Sequence, residues 1–331
     1  MAFLGVDVGI GEIHRVRVPL GEYSDGTQIL LPVVTVGGGQ EGPTLFIQAG
    51  LHGDEQTGIA ICRSFLASLG GMDLGQLHGR IVVVPIANPP SHLTRSRGYL
   101  HEERRMVDLN RIFPGQASGL ISERIAHTLF EEFVRPSDFV IDLHSALDGC
   151  TIAPFVYVDP DDDESGTLAI RERIAWAFGT PFVYYKRRGT NLGTSNISGG
   201  LLAQSDVVGV PSLLAEMGQS QVVTREYVHM GVDGVHNVLR ALEMTAGEPK
   251  PAPAEQRRFS QIHLLHANRG GGFASTVGVG DMVEEGTLLG AVSDVYGQVI
   301  EEFRSPVTGF VLRLMLWGTI ATGAEVFWVA T

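Results

Sequence analysis

Apolar positions in the upstream part of the chain gather into short runs: TLFIQAG (Thr44 to Gly50), RIVVVPIA (Arg80 to Ala87), FVIDLH (Phe139 to His144) and PSLLAEMG (Pro211 to Gly218). Between them lie longer stretches with helical spacing, which predict helices over Thr57 to Leu69, Ile121 to Val134, Leu168 to Phe178 and Thr224 to Thr245. This alternation predicts an α/β fold, with a mixed, mostly parallel sheet covered by helices on both faces. The segment AGEPKPAPAEQ (Ala246 to Gln256) is rich in proline, lacks apolar periodicity and reads as a linker between residues 1–245 and 257–331. Downstream, short apolar runs broken by glycine predict a small C-terminal all-β, sandwich-like domain. Tyr184 and Tyr185, ahead of Lys186 to Arg188, could edge a pocket but read first as an exposed strand end with snorkelling charges.

Composition narrows the class. With 331 residues, 44% hydrophobic and 18% charged, the chain has ample material for a core and more readily fills two domains than one. No apolar run approaches the roughly 20 residues of a membrane span. The start lacks a basic segment followed by an apolar one, so the expectation is a cytoplasmic protein without membrane association. Cys62 and Cys150 form no framework or C-x-x-C pair and read as buried thiols. The formal net charge of −13 argues against a nucleic-acid partner, yet a small anionic substrate needs only a few arginines in one cleft. GDMVEEGTLLG and SPVTGFV look like half-motifs of a lipoyl/biotinyl-type sandwich. A carrier arm requires a lysine, however, and none occurs between Pro251 and Thr331, which leaves a structural β-domain.

The apolar runs end in polar clusters, and ligand sites of open α/β sheets lie beyond the carboxyl ends of the strands. His52 and Glu55 share a glycine-rich turn and can meet one ion. His144, ending FVIDLH, completes the His₂Glu set of a catalytic zinc site, which keeps an open position for water. Arg111 offers a planar fork for a carboxylate, with the Asn110 amide beside it. Arg95 and Arg97 are candidates for polarising a carbonyl, Arg97 being preferred, and Arg104 and Arg105 add further basic residues nearby. Glu216, embedded in LLAEMG, is either an acid–base group with a raised pKa or half of a buried salt bridge. The acidic run Asp159 to Glu164 reads as a solvated loop.

GLHGDEQTG (Gly50 to Gly58), NPP with TRSRGY (Asn88 to Tyr99), DLNRIFPG (Asp108 to Gly115), DLHSA (Asp142 to Ala146) and LLAEMG together resemble the succinylglutamate desuccinylase/aspartoacylase family, itself similar to zinc carboxypeptidases. The resemblance implies one Zn²⁺ held by His52, Glu55 and His144, with Asn110 and Arg111 anchoring a substrate carboxylate. Arg97 would polarise the carbonyl, Glu216 would serve as base and acid, and Asp108 would orient a zinc-binding imidazole, that of His52. The implied enzyme is a zinc-dependent deacylase of a small N-acyl amino acid or related N-acyl amine, possible as a homo-oligomer. A metallocarboxypeptidase and a non-catalytic binding protein on the same scaffold are the rival readings. The later arginine and tyrosine of the family find no clear match, with Arg187, Arg188 and Tyr296 as the available residues.

Overall fold

In the computed structural model, which describes residues 9–102, 105–147, 149–159, 166–186, 198–252 and 255–331, the upstream unit begins with a hairpin, β1 (Ile13–Glu22) and β2 (Gln28–Gly37). It continues through β3 (Gln40–Ala49), α1 (Gln56–Ser68), β4 (His78–Val84), α2 (Pro89–Thr94) and a small hairpin of β5 (Tyr99–Glu102) and β6 (Arg105–Val107). Then follow α3 (Ile121–Leu129), β7 (Phe139–His144), β8 (Cys150–Val158), α4 (Leu168–Phe178), β9 (Phe182–Tyr185), α5 (Leu201–Val207), β10 (Ser212–Gln219) and α6 (Arg225–Ala241).

The centre of the sheet is parallel, in the order β4-β3-β7-β10, and antiparallel strands extend it on both sides. Because its strands are buried on both faces, they read as continuous apolar runs. Ile59, Ile61 and Phe65 of α1, Ile174 and Phe178 of α4, and Val235 and Val238 of α6 fill one face. Ile125 and Leu129 of α3, with Phe130 and Phe133 of the π-helical turn that follows it, fill the other. Helices thus cover both faces.

The tail contains β11 (Arg257–Phe259), β12 (Ile262–His266), β13 (Gly271–Ser275), β14 (Met282–Val283), β15 (Leu288–Ser293), β16 (Val299–Arg304), β17 (Gly309–Met315), β18 (Thr319–Ile320) and β19 (Glu325–Ala330). Strands β16-β15-β13-β18 form their own antiparallel sheet. The layer facing it does not stand alone, since β17 pairs with β8 and carries β19 and β12 into the central sheet. Aromatic packing seals this junction: Phe182 stacks on Phe310 at 3.9 Å and Tyr184 on Phe259 at 4.7 Å between ring centroids. One expectation is corrected by it. Tyr184 and Tyr185 are 2% and 3% exposed, because β9 is enclosed between β8 and β11 rather than forming an open strand end.

The connection from Ala246 onward is tied down at two points. The Asn237 amide accepts from the Lys250 backbone N–H and donates to its carbonyl, and Gln256 donates to the carbonyls of Trp176 and Thr180.

Candidate active site

The loops and strand ends after β3, β4, β7 and β10 converge beyond the carboxyl edge of the parallel strands. After β3 the chain turns through LHGDE into α1, and two glycines make the turn possible. A methyl group at Gly53 would lie 2.0 Å from the carbonyl oxygen of Ser91, and one at Gly58 would lie 2.6 Å from that of Leu143. The bare backbone at Gly58 lets the first turn of α1 press against β7. That contact brings Glu55, at the helix N-cap, next to His144.

Glu55 sits between the two imidazoles. Its Oε1 is 2.7 Å from His52 Nδ1, and its Oε2 is 2.8 Å from His144 Nδ1 and accepts from the Ser145 backbone N–H. All three residues are buried, and their ligating atoms lie within 4.8 Å of one another. The far nitrogen of each ring is fixed by a carboxylate: His52 Nε2 by Asp108 Oδ1 and His144 Nε2 by Asp142 Oδ2, both at 2.9 Å. Asp142 is itself held by the Gln48 side-chain amide at 3.0 Å. A proton kept on each Nε2 leaves both Nδ1 lone pairs facing the oxygens of one carboxylate. This is an electronegative, dry arrangement that a divalent cation would satisfy.

Burial disfavours charge on His144, but Asp142 and Glu55 outweigh it and hold the imidazole pKa well above its ordinary value. Burial likewise opposes charge on Glu55, and the two histidines outweigh it, keeping this carboxyl far below the usual range. Asp108 behaves in the same way, with the His52 hydrogen bond and the charges of Arg97 and Arg111 overcoming burial.

The other predicted residues border the same cavity of about 380 Å³. Glu216 faces it from β10, and its Oε2 has no hydrogen-bond partner among the described residues. Burial, and then the charge of Glu55, push its pKa up to about 8. Arg97 donates from Nε to Asp108 at 2.9 Å and from a terminal nitrogen to Glu55 at 3.3 Å. Arg95, the alternative, is an exposed residue at the end of α2 and does not reach the cavity, whereas the side chains of Arg104 and Arg105 lie outside the described part. Arg111 and Asn110 also line the cavity. The Asn110 side-chain oxygen accepts from the Leu201 backbone N–H, leaving its NH₂ group to donate.

Sequence reasoning passed over several residues of the site. Asp142 was discernible, because residues two apart on a strand share a face and Asp142 and His144 both belong to β7. Phe155, Tyr157 and Asp159 line the cavity by the same alternation along and just beyond β8, and Lys186 joins them just after β9. Arg313, Glu325 and Trp328 close the cavity from the tail. Of the residues considered for the family's later contacts, Tyr296 is 87% exposed on a tail hairpin, and Arg187 and Arg188 lie outside the described residues, as do residues 160–164 of the acidic run.

Several known proteins resemble this chain in sequence and fold. The N-alpha-acetyl-L-2,4-diaminobutyric acid deacetylase of Halomonas elongata is 28% identical over 310 residues, covering 90% of this chain and 86% of the relative. The product-bound ectoine utilization protein EutE (DoeB) of Ruegeria pomeroyi superposes with a TM-score of 0.85 at 21% identity, covering 99% of this chain and 98% of that one. A succinylglutamate desuccinylase/aspartoacylase from Rhodobacter sphaeroides gives 0.81 at 23% identity, over 97% and 95% of the two chains. A sequence model of the succinylglutamate desuccinylase/aspartoacylase catalytic domain matches residues 41–242, and the chain belongs to that family.

Proposed function

We propose that this protein is a zinc-dependent deacylase that hydrolyses the amide bond of a small N-acyl amino acid, or of a related N-acyl amine bearing a carboxylate. The observation that carries the reading is the convergence of His52, Glu55 and His144 within 4.8 Å, beside Glu216, a carboxyl group whose Oε2 has no partner among the described residues. Family membership and the Halomonas elongata deacetylase point to the same chemistry.

His52, Glu55 and His144 would hold the zinc, which when bound supplies Lewis-acid charge for the attacked carbonyl and makes water acidic enough to attack near neutral pH. Glu216 takes the proton of the attacking water and returns it to the leaving nitrogen. Its raised pKa suits both transfers, since the group is neither a strong acid nor permanently protonated near neutrality. Arg97 contributes fixed positive charge to the developing oxyanion. Asp108 and Asp142 keep the imidazoles oriented, and Arg111 with the Asn110 amide fixes the substrate carboxylate, so that the scissile bond meets the water in one orientation. Trp328, Glu325 and Arg313 cover the cavity from the tail, which favours a compact acyl amino acid over the end of a long peptide.

The test pairs metal analysis of the purified protein with a panel of N-acetyl and N-succinyl amino acids set against dipeptides. Stoichiometric zinc with release of the free amino acid is the expected result. Preferential cleavage of the dipeptides would replace the deacylase with a carboxypeptidase, and a protein that binds zinc but cleaves nothing would be a binding protein.

A further inference from the structure

Lys186 follows β9, and its backbone N–H bonds to the carbonyl of Val158 at 3.0 Å, continuing the pairing of β9 with β8. Tyr184 and Tyr157 are register partners in that pairing, so alternation puts Lys186 on the face of the sheet that carries Tyr157. Its side chain lines the cavity with the residue only 8% exposed. Among the described residues, the carboxylate whose charge acts on its ammonium is that of Asp159, which lines the same cavity.

Arg111 on the same cavity has one long ion pair. It lies 3.9 Å from Asp108, whose oxygens are already engaged by His52 and Arg97, and it donates to the backbone carbonyl of Asn110. The other lining cations differ, since Arg97 is paired with Asp108 and Glu55, and Arg313 with Glu325. Burial above all, and then the charge of Arg111, lower the Lys186 pKa to about 8, while Asp159 works in the opposite direction. Two cations that repel each other across a poorly solvated cavity are stabilised by an anion between them.

We propose that Lys186 is a specificity residue whose ammonium closes, together with the Arg111 guanidinium, on a single substrate carboxylate. The assignment rests on the deacylase reading for the identity of the ligand, but its test does not need turnover.

Calorimetric binding of L-2,4-diaminobutyrate and L-glutamate, each beside its α-carboxamide, is measured with the zinc-loaded full-length protein. The wild type should prefer at least one free acid over its amide. Lys186→Met should weaken binding of that acid by about tenfold, the loss expected for one charge-assisted hydrogen bond, and leave the amide nearly unchanged. Lys186→Arg should restore most of the preference. Equal weakening of acid and amide, an unaffected acid, or a wild type with no preference for either acid overturns the assignment. Hydrolysis of N-acetyl amino acids, measured in parallel, separates the two readings: turnover with an unaffected Lys186→Met fails this inference alone, whereas acid-selective binding without turnover fails the deacylase alone.

Discussion

His144 and Glu216 are register partners on the neighbouring parallel strands β7 and β10, and Phe155 continues the same row on β8. The proposed metal-binding imidazole and the proposed acid–base group are therefore set side by side by strand hydrogen bonds rather than by loops. Rigid backbone of this kind holds reacting groups to within a fraction of an ångström, as catalysis requires.

Replacing Glu216 with Gln keeps the shape of this row and removes the proton carrier. The expected outcome is a fall in kcat of about a hundred- to ten-thousand-fold with metal content unchanged. Steady-state kinetics with metal analysis on the same sample checks it, and a variant retaining wild-type kcat would remove Glu216 from the mechanism.

The pH profile follows from the direction of the Glu216 shift. Burial and the Glu55 charge raise its pKa to about 8, and a base must be ionised, so kcat/KM should fall as pH drops through that value. A cation bound next to it opposes the shift, which sets the acid limb between the ordinary glutamate range and about 8. Profiles measured for the wild type and Glu216→Gln should differ by the presence of this limb, and a flat wild-type profile across that range contradicts the assignment.

Asp142 touches His144 and does not line the cavity. Asp142→Asn should lower metal affinity by about ten- to a hundred-fold, because the imidazole loses the carboxylate that fixes its tautomer. Competition with a chromophoric chelator measures this, and activity should return at saturating zinc if the aspartate acts only through the ligand.

Gly58→Ala tests the approach of α1 to β7. A methyl group 2.6 Å from the Leu143 carbonyl oxygen must displace backbone, so the substitution should cost about 1–3 kcal/mol despite the better helix propensity of alanine. Denaturant unfolding reports the loss, and weaker metal binding should accompany it, because Glu55 rides on the same turn. An Ala variant as stable as the wild type would show that the contact yields freely.

Much of this was legible in the sequence, for identifiable reasons. The runs at Thr44, Arg80, Phe139 and Pro211 became β3, β4, β7 and β10 because strands buried on both faces must be apolar throughout. The helix expected over Ile121 to Val134 occupies those residues, with its last turn widened to π geometry. The polar residues at the ends of the buried runs were conspicuous, and they are the ones that converge. Residues supplied from edges and from the tail were not. Lys186, Arg313, Glu325 and Trp328 reach the cavity through strand pairings with distant partners, and nothing local distinguishes them from surface residues. Arg97, preferred over Arg95 from the sequence, lines the cavity, whereas α2 ends at Arg95, which takes a left-handed conformation at φ 50°.

The pairing of β17 with β8 also bears on how substrate preference can change. A lid on a hinge could be traded between relatives as a cassette, but here β8, which carries the cavity residues Phe155 and Tyr157, pairs with β17 through Ile152 opposite the cavity residue Arg313. A chimaera that imports a foreign tail while keeping the resident β8 mismatches that seam. Recombination that alters selectivity must therefore carry both strands together, leaving point substitution within the wall as the easier route to a new substrate.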